Sequence, residues 1–228
     1  MLDPHRAQNL EDGFRERGLR RLLVNELKVK GIVNAEVLAA IGSIPRHAFF
    51  ERAFIQHAYQ DKAFPIGRGQ TISQPYTVAR QTELLEAKAG DRILEIGTGS
   101  GYQCAVLCHL GYQVHSIEYQ QELHLRARHL LASLGYKPAT LLHGDGSQGL
   151  AGKAPYAGII VTAGAPGVPE ILVKQLQPGG KLVIPVGDTA TQTMLRITRL
   201  ADGSTKQEEF GAFRFVPLRG SQGWDAKK

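Results

Sequence analysis

Between residues 90 and 190, short apolar runs alternate with stretches whose apolar positions recur at helical spacing. Ile93, Leu94 and Ile96, then residues 113–117, 140–142, 158–162 and 181–186, read as strands of a buried parallel sheet. Between them, Tyr102, Ala105, Val106 and Leu110, then Leu123, Ala127, Leu130, Leu131 and Leu134, then residues 168–176, read as helices. Strand and helix in alternation predict an α/β fold with a doubly wound, mostly parallel sheet. Upstream, Leu19, Leu22, Leu23 and Leu27 predict a helix ending at Gly31, residues 35–41 a shorter one, and residues 77–87 a third. Residues 43–50 and 59–65 read as irregular, and residues 66–75 as a polar loop. Downstream, residues 194–200, the Asp202-Gly203 turn and residues 209–216 predict a β-hairpin, and the tail from Gly220 is expected to fray. The expected division is residues 1–76 as a helical extension with a loop, residues 77–220 as the main domain and residues 221–228 as a tail.

One junction carries more than fold. The first strand ends on Gly97-Thr98-Gly99-Ser100-Gly101 as the helix begins, and the second strand ends on Glu118. A glycine-rich turn between strand and helix aims backbone N–H groups at a ligand, and an acid about 20 residues on is placed for ribose hydroxyls. A dinucleotide fingerprint needs a third glycine where this chain has Tyr102, which disfavours an NAD oxidoreductase. Glu95, expected at the mouth of the turn, would repel a pyrophosphate and suit an ammonium group such as that of S-adenosylmethionine. Asp145, between Gly144 and Gly146 after the third strand, is placed for the adenine end, and Thr162 closes the fourth strand. Ligands in such sheets bind at the carboxyl ends of strands, where all of these fall.

Composition narrows the picture by exclusion. A chain of 228 residues supports one sizeable core. No apolar run reaches the length of a membrane span and the N-terminal stretch lacks the apolar core of a signal peptide, so a cytoplasmic protein with no membrane partner is expected. Cys104 and Cys108 lie four residues apart in a predicted helix, a spacing that suits core thiols better than a disulfide. His47, His57, His109, His115, His124, His129 and His143 form no ligand-spaced set with acids or thiols, and no metal is expected. The net charge of +6 is spread along the chain and does not point to nucleic acid.

These segments resemble the protein-L-isoaspartate O-methyltransferases from about residue 32 to residue 218. The residues that carry the likeness are Ile44-Pro45-Arg46 with Phe49, Ala58-Tyr59-Gln60-Asp61, the loop from Gly67 through Gly-Gln-Thr-Ile-Ser-Gln-Pro to Pro75, Leu94 to Tyr102, Gly144-Asp145-Gly146, Ile160-Val161-Thr162-Ala163, Pro178-Gly179-Gly180, Pro185-Val186-Gly187 and Val216-Pro217-Leu218. The glycine turn alone would indicate only the wider class of S-adenosylmethionine-dependent methyltransferases with a Rossmann-like domain. The resemblance implies methyl transfer from S-adenosylmethionine to the carboxylate of L-isoaspartyl residues in damaged proteins and peptides, by a monomer without nucleic acid. It implies Ser73 as the active-site serine, Thr71, Ile72, Gln74, Val216, Pro217 and Leu218 at the peptide, and Glu95, Gly97, Thr98, Gly99, Gly101, Glu118, Asp145, Gly146 and Thr162 at the cofactor. Two positions depart from the family: Ala157, where an Asp is usual, and Gln81, where a Met is common.

The chemistry agrees independently. A carboxylate is ionised at neutral pH and attacks a sulfonium methyl without a general base, so the enzyme needs alignment and dryness rather than a catalytic His or Cys. On spacing alone, Ser73 either orients that carboxylate or caps the helix after Pro75. The rival readings are a methyltransferase for nucleic acid or a small molecule, and a non-catalytic basic binding module. The first expects an Asn/Asp-Pro-Pro-aromatic motif where this chain has Thr162-Ala163-Gly164-Ala165-Pro166; the intact turn, Glu118 and the Ser73 loop argue against the second.

Overall fold

The computed structural model describes residues 12–224. Its centre is a seven-stranded sheet of β3 (Arg92–Ile96), β4 (Gln113–Glu118), β5 (Thr140–His143), β6 (Tyr156–Val161), β7 (Leu176–Gly187), β8 (Gln192–Arg199) and β9 (Thr205–Phe213). A separate two-stranded hairpin, β1 (Phe64–Gly67) and β2 (Gln70–Ile72), precedes them. The spatial order is β5-β4-β3-β6-β7-β8-β9, with every pair from β5 to β7 parallel and the β7-β8 and β8-β9 pairs antiparallel. The chain winds outward from β3 in one direction through β4 and β5, then returns to β3's other side as β6. That reversal opens a crevice at the carboxyl ends of β3 and β6.

Side-chain alternation assigns the two faces. Ile93, Val114, Ile160 and Val183 belong to one buried cluster, which also holds residues of α1 (Phe14–Val29), α2 (Ala35–Ser43), α3 (Pro75–Leu85), α4 (Tyr102–His109) and α5 (Gln121–Ser133). Leu94, Ile96, Ile159, Val161 and Leu182 belong to the second, with Leu172 of α6 (Glu170–Lys174) and Leu218. The core strands are apolar almost throughout because both faces are covered.

Several expectations are corrected. Leu22 is on the outer face of α1 at 66% exposure, and Arg20 instead joins Leu23 and Leu27 inside. Residues 46–49 form a 3-10 turn, and residues 64–72, expected as the end of an irregular stretch and the start of a polar loop, pair as β1 and β2 around Arg68 and Gly69, both at positive φ. α6 is shorter than residues 168–176, because Pro169 sits at its start and Leu176 already pairs with Tyr156. β7 therefore begins before Pro178-Gly179-Gly180, with a register shift that these residues absorb. A side chain at Gly180 would lie 2.8 Å from the Tyr156 carbonyl oxygen. The hairpin's second strand ends at Phe213 rather than Val216. The tail from Gly220 to Trp224 is docked rather than frayed, and residues 225–228 lie outside the described residues.

The helix that follows the Ser73 loop starts without a local cap. α3 has Pro75 in its first turn and Gln74 at its N-cap, with no side-chain bond from Gln74. Its orphan donor is satisfied from a distance: Asp61 Oδ1 accepts from the Tyr76 N–H at 2.7 Å, while Asp61 Oδ2 pairs with Lys30 at 2.6 Å. Gln81, on the inner face of α3 and fully buried, donates to the Val161 carbonyl at 2.8 Å, where a Met would offer no hydrogen bond. Asp61 is thus the residue that fixes where the loop ends. Asp61→Ala should lower unfolding free energy by about 1–2 kcal/mol in chemical denaturation, the usual range for a lost cap, and Asp61→Asn, which keeps an acceptor, should lower it less.

Candidate active site

Three segments meet over the carboxyl ends of β3 and β6: the loop after β2, the glycine turn after β3, and the chain after β9. They line one cleft enclosing about 750 Å³ of atom-free space, part of it open to solvent. The size suits a small-molecule ligand.

The glycine turn is held at close range. Gly97 adopts φ 95°, and a Cβ there would fall 2.4 Å from the Thr162 hydroxyl oxygen. That hydroxyl donates to the Gly97 carbonyl at 2.6 Å, and the Thr162 N–H donates to the Ile96 carbonyl. Only glycine admits this contact. From the other side Glu118, 5% exposed, accepts from the Gly99 N–H and the Gln120 N–H, each at 2.8 Å. Its carboxylate lines the cleft.

Glu95 is not at the mouth. It is fully buried, its neighbours being Ser116 and the thiols of α4. The Ser116 hydroxyl donates to Glu95 Oε2 at 2.5 Å and bonds Thr98 Oγ1 at 2.6 Å, so a polar chain runs from Glu95 to the turn. Burial pushes the Glu95 carboxyl up to about 8, against the Ser116 bond, so it is neutral at pH 7. The β3–β4 register explains the arrangement: Glu95 pairs with Ser116, and period-2 alternation points both to the same face. Cys104 is buried and Cys108 half-buried; both are free thiols, and the hydrogen bond that Cys104 donates to Cys108, together with burial, keeps Cys104 protonated.

The Ser73 loop reaches the turn through β1 and β2. Ile66 lies 3.6 Å from where a Gly99 Cβ would be, and its carbonyl accepts from Arg126 of α5. Arg68 pairs with Glu122 on the same helix. Ser73 is half-buried and lines the cleft beside Thr71 and Ile72; its carbonyl accepts from Arg46 Nη2 at 2.8 Å. The α3 cap comes from Asp61, so the capping role weighed for Ser73 does not apply.

The third segment is pinned by Gly164, whose N–H donates to the Val216 carbonyl and whose carbonyl accepts from the Leu218 N–H, each at 2.8 Å. The Trp224 indole donates to that same carbonyl at 2.9 Å. Asp145 completes the clasp: Oδ1 accepts from the Ser147 N–H and hydroxyl, Oδ2 from the Ser221 N–H and hydroxyl. Burial acts against ionisation here, but these four bonds hold the carboxyl below its ordinary value.

Of the residues singled out in the sequence, Thr71, Ile72, Ser73, Gly97, Thr98, Gly99, Glu118, Gly146, Thr162, Val216, Pro217 and Leu218 line the cleft. Gln74, Glu95, Gly101 and Asp145 do not line it. Gln74 turns into the start of α3, Asp145 holds the tail, and a Cβ at Gly101, whose φ is 90°, would fall 3.3 Å from Leu131 of α5, so this glycine serves helix packing. The cleft adds residues that spacing did not single out, among them Ser100, Gln103, Tyr119, Gln120 and Arg219. Tyr119 and Gln120 follow Glu118 directly, and that adjacency was the available signal. Arg219 had none. Among the described residues there is no cluster of metal-type side chains, and no helix is long and apolar enough to cross a membrane.

A doubly wound sheet with a glycine turn, a strand-end acid and a serine-bearing loop over one cleft defines a Rossmann-like methyltransferase that uses S-adenosylmethionine. The family model for protein-L-isoaspartate(D-aspartate) O-methyltransferase matches residues 19–223, and the chain belongs to that family. The protein-L-isoaspartate O-methyltransferase of Cytophaga hutchinsonii is 57% identical over 218 residues, covering 96% of this chain and 98% of that one. That of Christiangramia forsetii is 57% identical over 92% of this chain and 98% of its own. Among solved structures, a protein-L-isoaspartate O-methyltransferase superposes with TM-score 0.80 at 28% identity, covering 90% of this chain and 67% of that one. A protein described as a putative enzyme of this kind from Plasmodium falciparum, in complex with S-adenosyl-L-homocysteine, gives TM-score 0.74 at 25% identity, over 88% and 98% of the two chains.

The residues fit the cofactor. Side chains are excluded at Gly97 and also at Gly146, where a Cβ would meet Ile96 at 2.8 Å, which lets backbone approach a ligand closely. Glu118 offers carboxylate acceptors to ribose hydroxyls. Glu118→Ala should weaken cofactor binding about 10- to 100-fold in calorimetry, the range for hydrogen bonds to a charged group. Glu95 gives a pH signature. Its folded pKa lies above its unfolded value, so the stability of the neutral form is complete below about pH 4.5 and is lost as pH rises through about 8. Denaturation at several pH values should show Glu95→Gln flattening that decline.

Proposed function

We propose that Ser73 orients the methyl-accepting carboxylate of an L-isoaspartyl residue toward the donor held by the glycine turn. The observation that carries this reading is that Ser73 and the turn face one cleft while the serine is left without a capping duty. As a member of its family, the chain transfers a methyl group to isoaspartyl carboxylates in damaged proteins and peptides. S-adenosylmethionine supplies an electrophilic methyl on a sulfonium.

The protein's own residues have three tasks in this reading. Ser73 Oγ–H donates one hydrogen bond to the carboxylate oxygen that does not react, which fixes the angle of attack without adding a base. Ile72 and Leu218, both buried, keep water from the reacting pair, and the exposed Thr71 and Pro217 flank the peptide. The backbone of Val216 and the edge it shares with Gly164 align an extended peptide, with Gln74 outside the cleft wall. Anion and sulfonium are both discharged, so a dry site favours the reaction, and alignment contributes the larger part.

The recognised unit is a backbone defect, which requires no particular neighbouring sequence. The protein acts as a monomer in the cytoplasm and takes protein rather than nucleic acid. The fourth strand leads into Thr162-Ala163-Gly164-Ala165-Pro166, without a base-gripping aromatic. The division into residues 1–76, 77–220 and 221–228 is kept as a functional one, with the extension carrying the serine and the main domain carrying the cofactor.

Labelled methyl transfer to an isoaspartyl peptide, beside its aspartyl twin, tests the substrate: equal labelling of both sinks the reading. Ser73→Ala should lower kcat/KM about 10- to 100-fold, as expected for one lost hydrogen bond to a charged group, with an unchanged melting temperature. Near-normal turnover with lowered stability would return Ser73 to a structural role.

A further inference from the structure

Behind the Ser73 loop lies a cation that the reaction as described does not use. Arg46, in the 3-10 turn after Pro45, is fully buried. Its Nε donates to the Ala58 carbonyl at 2.9 Å and its Nη2 to the Ser73 carbonyl at 2.8 Å, while Nη1 has no hydrogen-bond partner. The guanidinium lies over the Tyr102 ring at 4.6 Å and near the Phe50 ring at 5.3 Å. Asp61 acts on it electrostatically but is engaged by Lys30 and Tyr76, and among the described residues no carboxylate forms an ion pair with it. Burial lowers its pKa to about 10, which leaves it charged at pH 7.

A buried charge without a counter-ion is costly unless something compensates it. Here two faces of π-density and two carbonyls do part of that, and the remaining field has a definite address. Both Ser73 and Tyr102 line the cleft, so the guanidinium lies one layer beneath the wall that meets the substrate. A cation there discriminates by charge.

We propose that Arg46 is the specificity-determining residue for negative charge at the acceptor: it fixes Ser73 through its carbonyl and places a buried positive charge behind the site of the substrate carboxylate. The inference rests on the isoaspartyl reading of the cleft and deepens it. It also predicts where the effect falls. In the transfer, a carboxylate oxygen forms the bond to the methyl carbon, the S–CH₃ bond breaks with its electron pair passing to sulfur, and no proton moves. Arg46 favours the anion and disfavours the sulfonium, and both charges vanish together. The two influences on the barrier oppose each other, so the field acts on binding of the anionic peptide rather than on kcat.

The test compares an isoaspartyl peptide with the isoasparagine peptide that carries a neutral amide at the same group. Calorimetry in the presence of S-adenosylhomocysteine measures both affinities without turnover. The wild-type protein should prefer the acid by about tenfold or more, R46K should keep most of that preference, and R46Q should reduce it to about twofold. A merely structural role would weaken acid and amide alike. R46Q retaining the wild-type ratio, loss of the ratio in both variants, or no preference in the wild type would overturn the proposal. Should R46Q fail to fold, salt decides on the wild type alone. A buried cation's preference persists in about 0.5 M salt, whereas one due to exposed groups such as Arg68 collapses, and collapse overturns it. Wild-type methylation of the isoaspartyl peptide is measured first, so failure of the substrate reading is distinguishable from failure of Arg46's role.

Discussion

Thr162 closes on Gly97 at a distance that only a missing side chain allows, and most of the site's geometry follows from that contact. The carboxyl ends of β3 and β6 are brought together with no layer between them. The Thr162 hydroxyl takes the carbonyls of Ile96 and Gly97, both of which would otherwise compete for a ligand's donors. Within the turn, the Gly97 N–H donates to the Ile117 carbonyl, the Gly99 N–H to Glu118 and the Gly101 N–H to the Thr98 carbonyl, so its backbone is held from several sides. The parallel register of β3 with both β4 and β6 then fixes where the acid and the threonine stand.

Two groups of opposite charge type are buried near this contact, and the fold treats them differently. Glu95 escapes the cost of burial by taking up a proton, which turns it into a neutral hydrogen-bonding end for Ser116 and Thr98. Arg46 has no such exit, because a guanidinium stays protonated through the physiological range, and it is accommodated by aromatic rings and carbonyls instead. The neutral acid backs the glycine turn; the persistent cation backs the Ser73 loop. Exchanging the two arrangements would place an uncompensated positive charge under the glycine turn, opposite the sulfonium that the turn must hold.

The sheet, the glycine turn and the strand-end acid were legible because each has a signature within a short window: an apolar run, a glycine spacing, an acid at a strand's end. Glu95 was misplaced because spacing locates a residue along a strand but does not say which face it takes. That depended on pairing with Ser116. Leu22 was misjudged for a similar reason, since several leucines at helical spacing define overlapping stripes and Arg20, engaged by Asp12 and the Gly42 carbonyl, took the inner position. The tail was misread, and the hold of Asp145 on it was not foreseen. The acid's position fits an adenine contact and the tail's composition fits disorder, but their bonds join residues far apart in the chain.

That clasp bears on how the cleft works. The segment from Val216 to Leu218 does not belong to the sheet; it is held by Gly164 on one side and by the Asp145–Ser221 bonds and Trp224 beyond it. A side chain at Gly220 would fall on the Asp145 carboxylate, so the return of the chain is as sterically constrained as the glycine turn itself. Asp145 stands next to Gly146, and Gly146 and Leu218 both line the cleft. One short stretch of backbone therefore borders the cleft while being held by polar bonds rather than by the sheet. A site that must accept an altered backbone in many different proteins is served by a rigid cofactor cradle beneath and a bonded but non-sheet edge above.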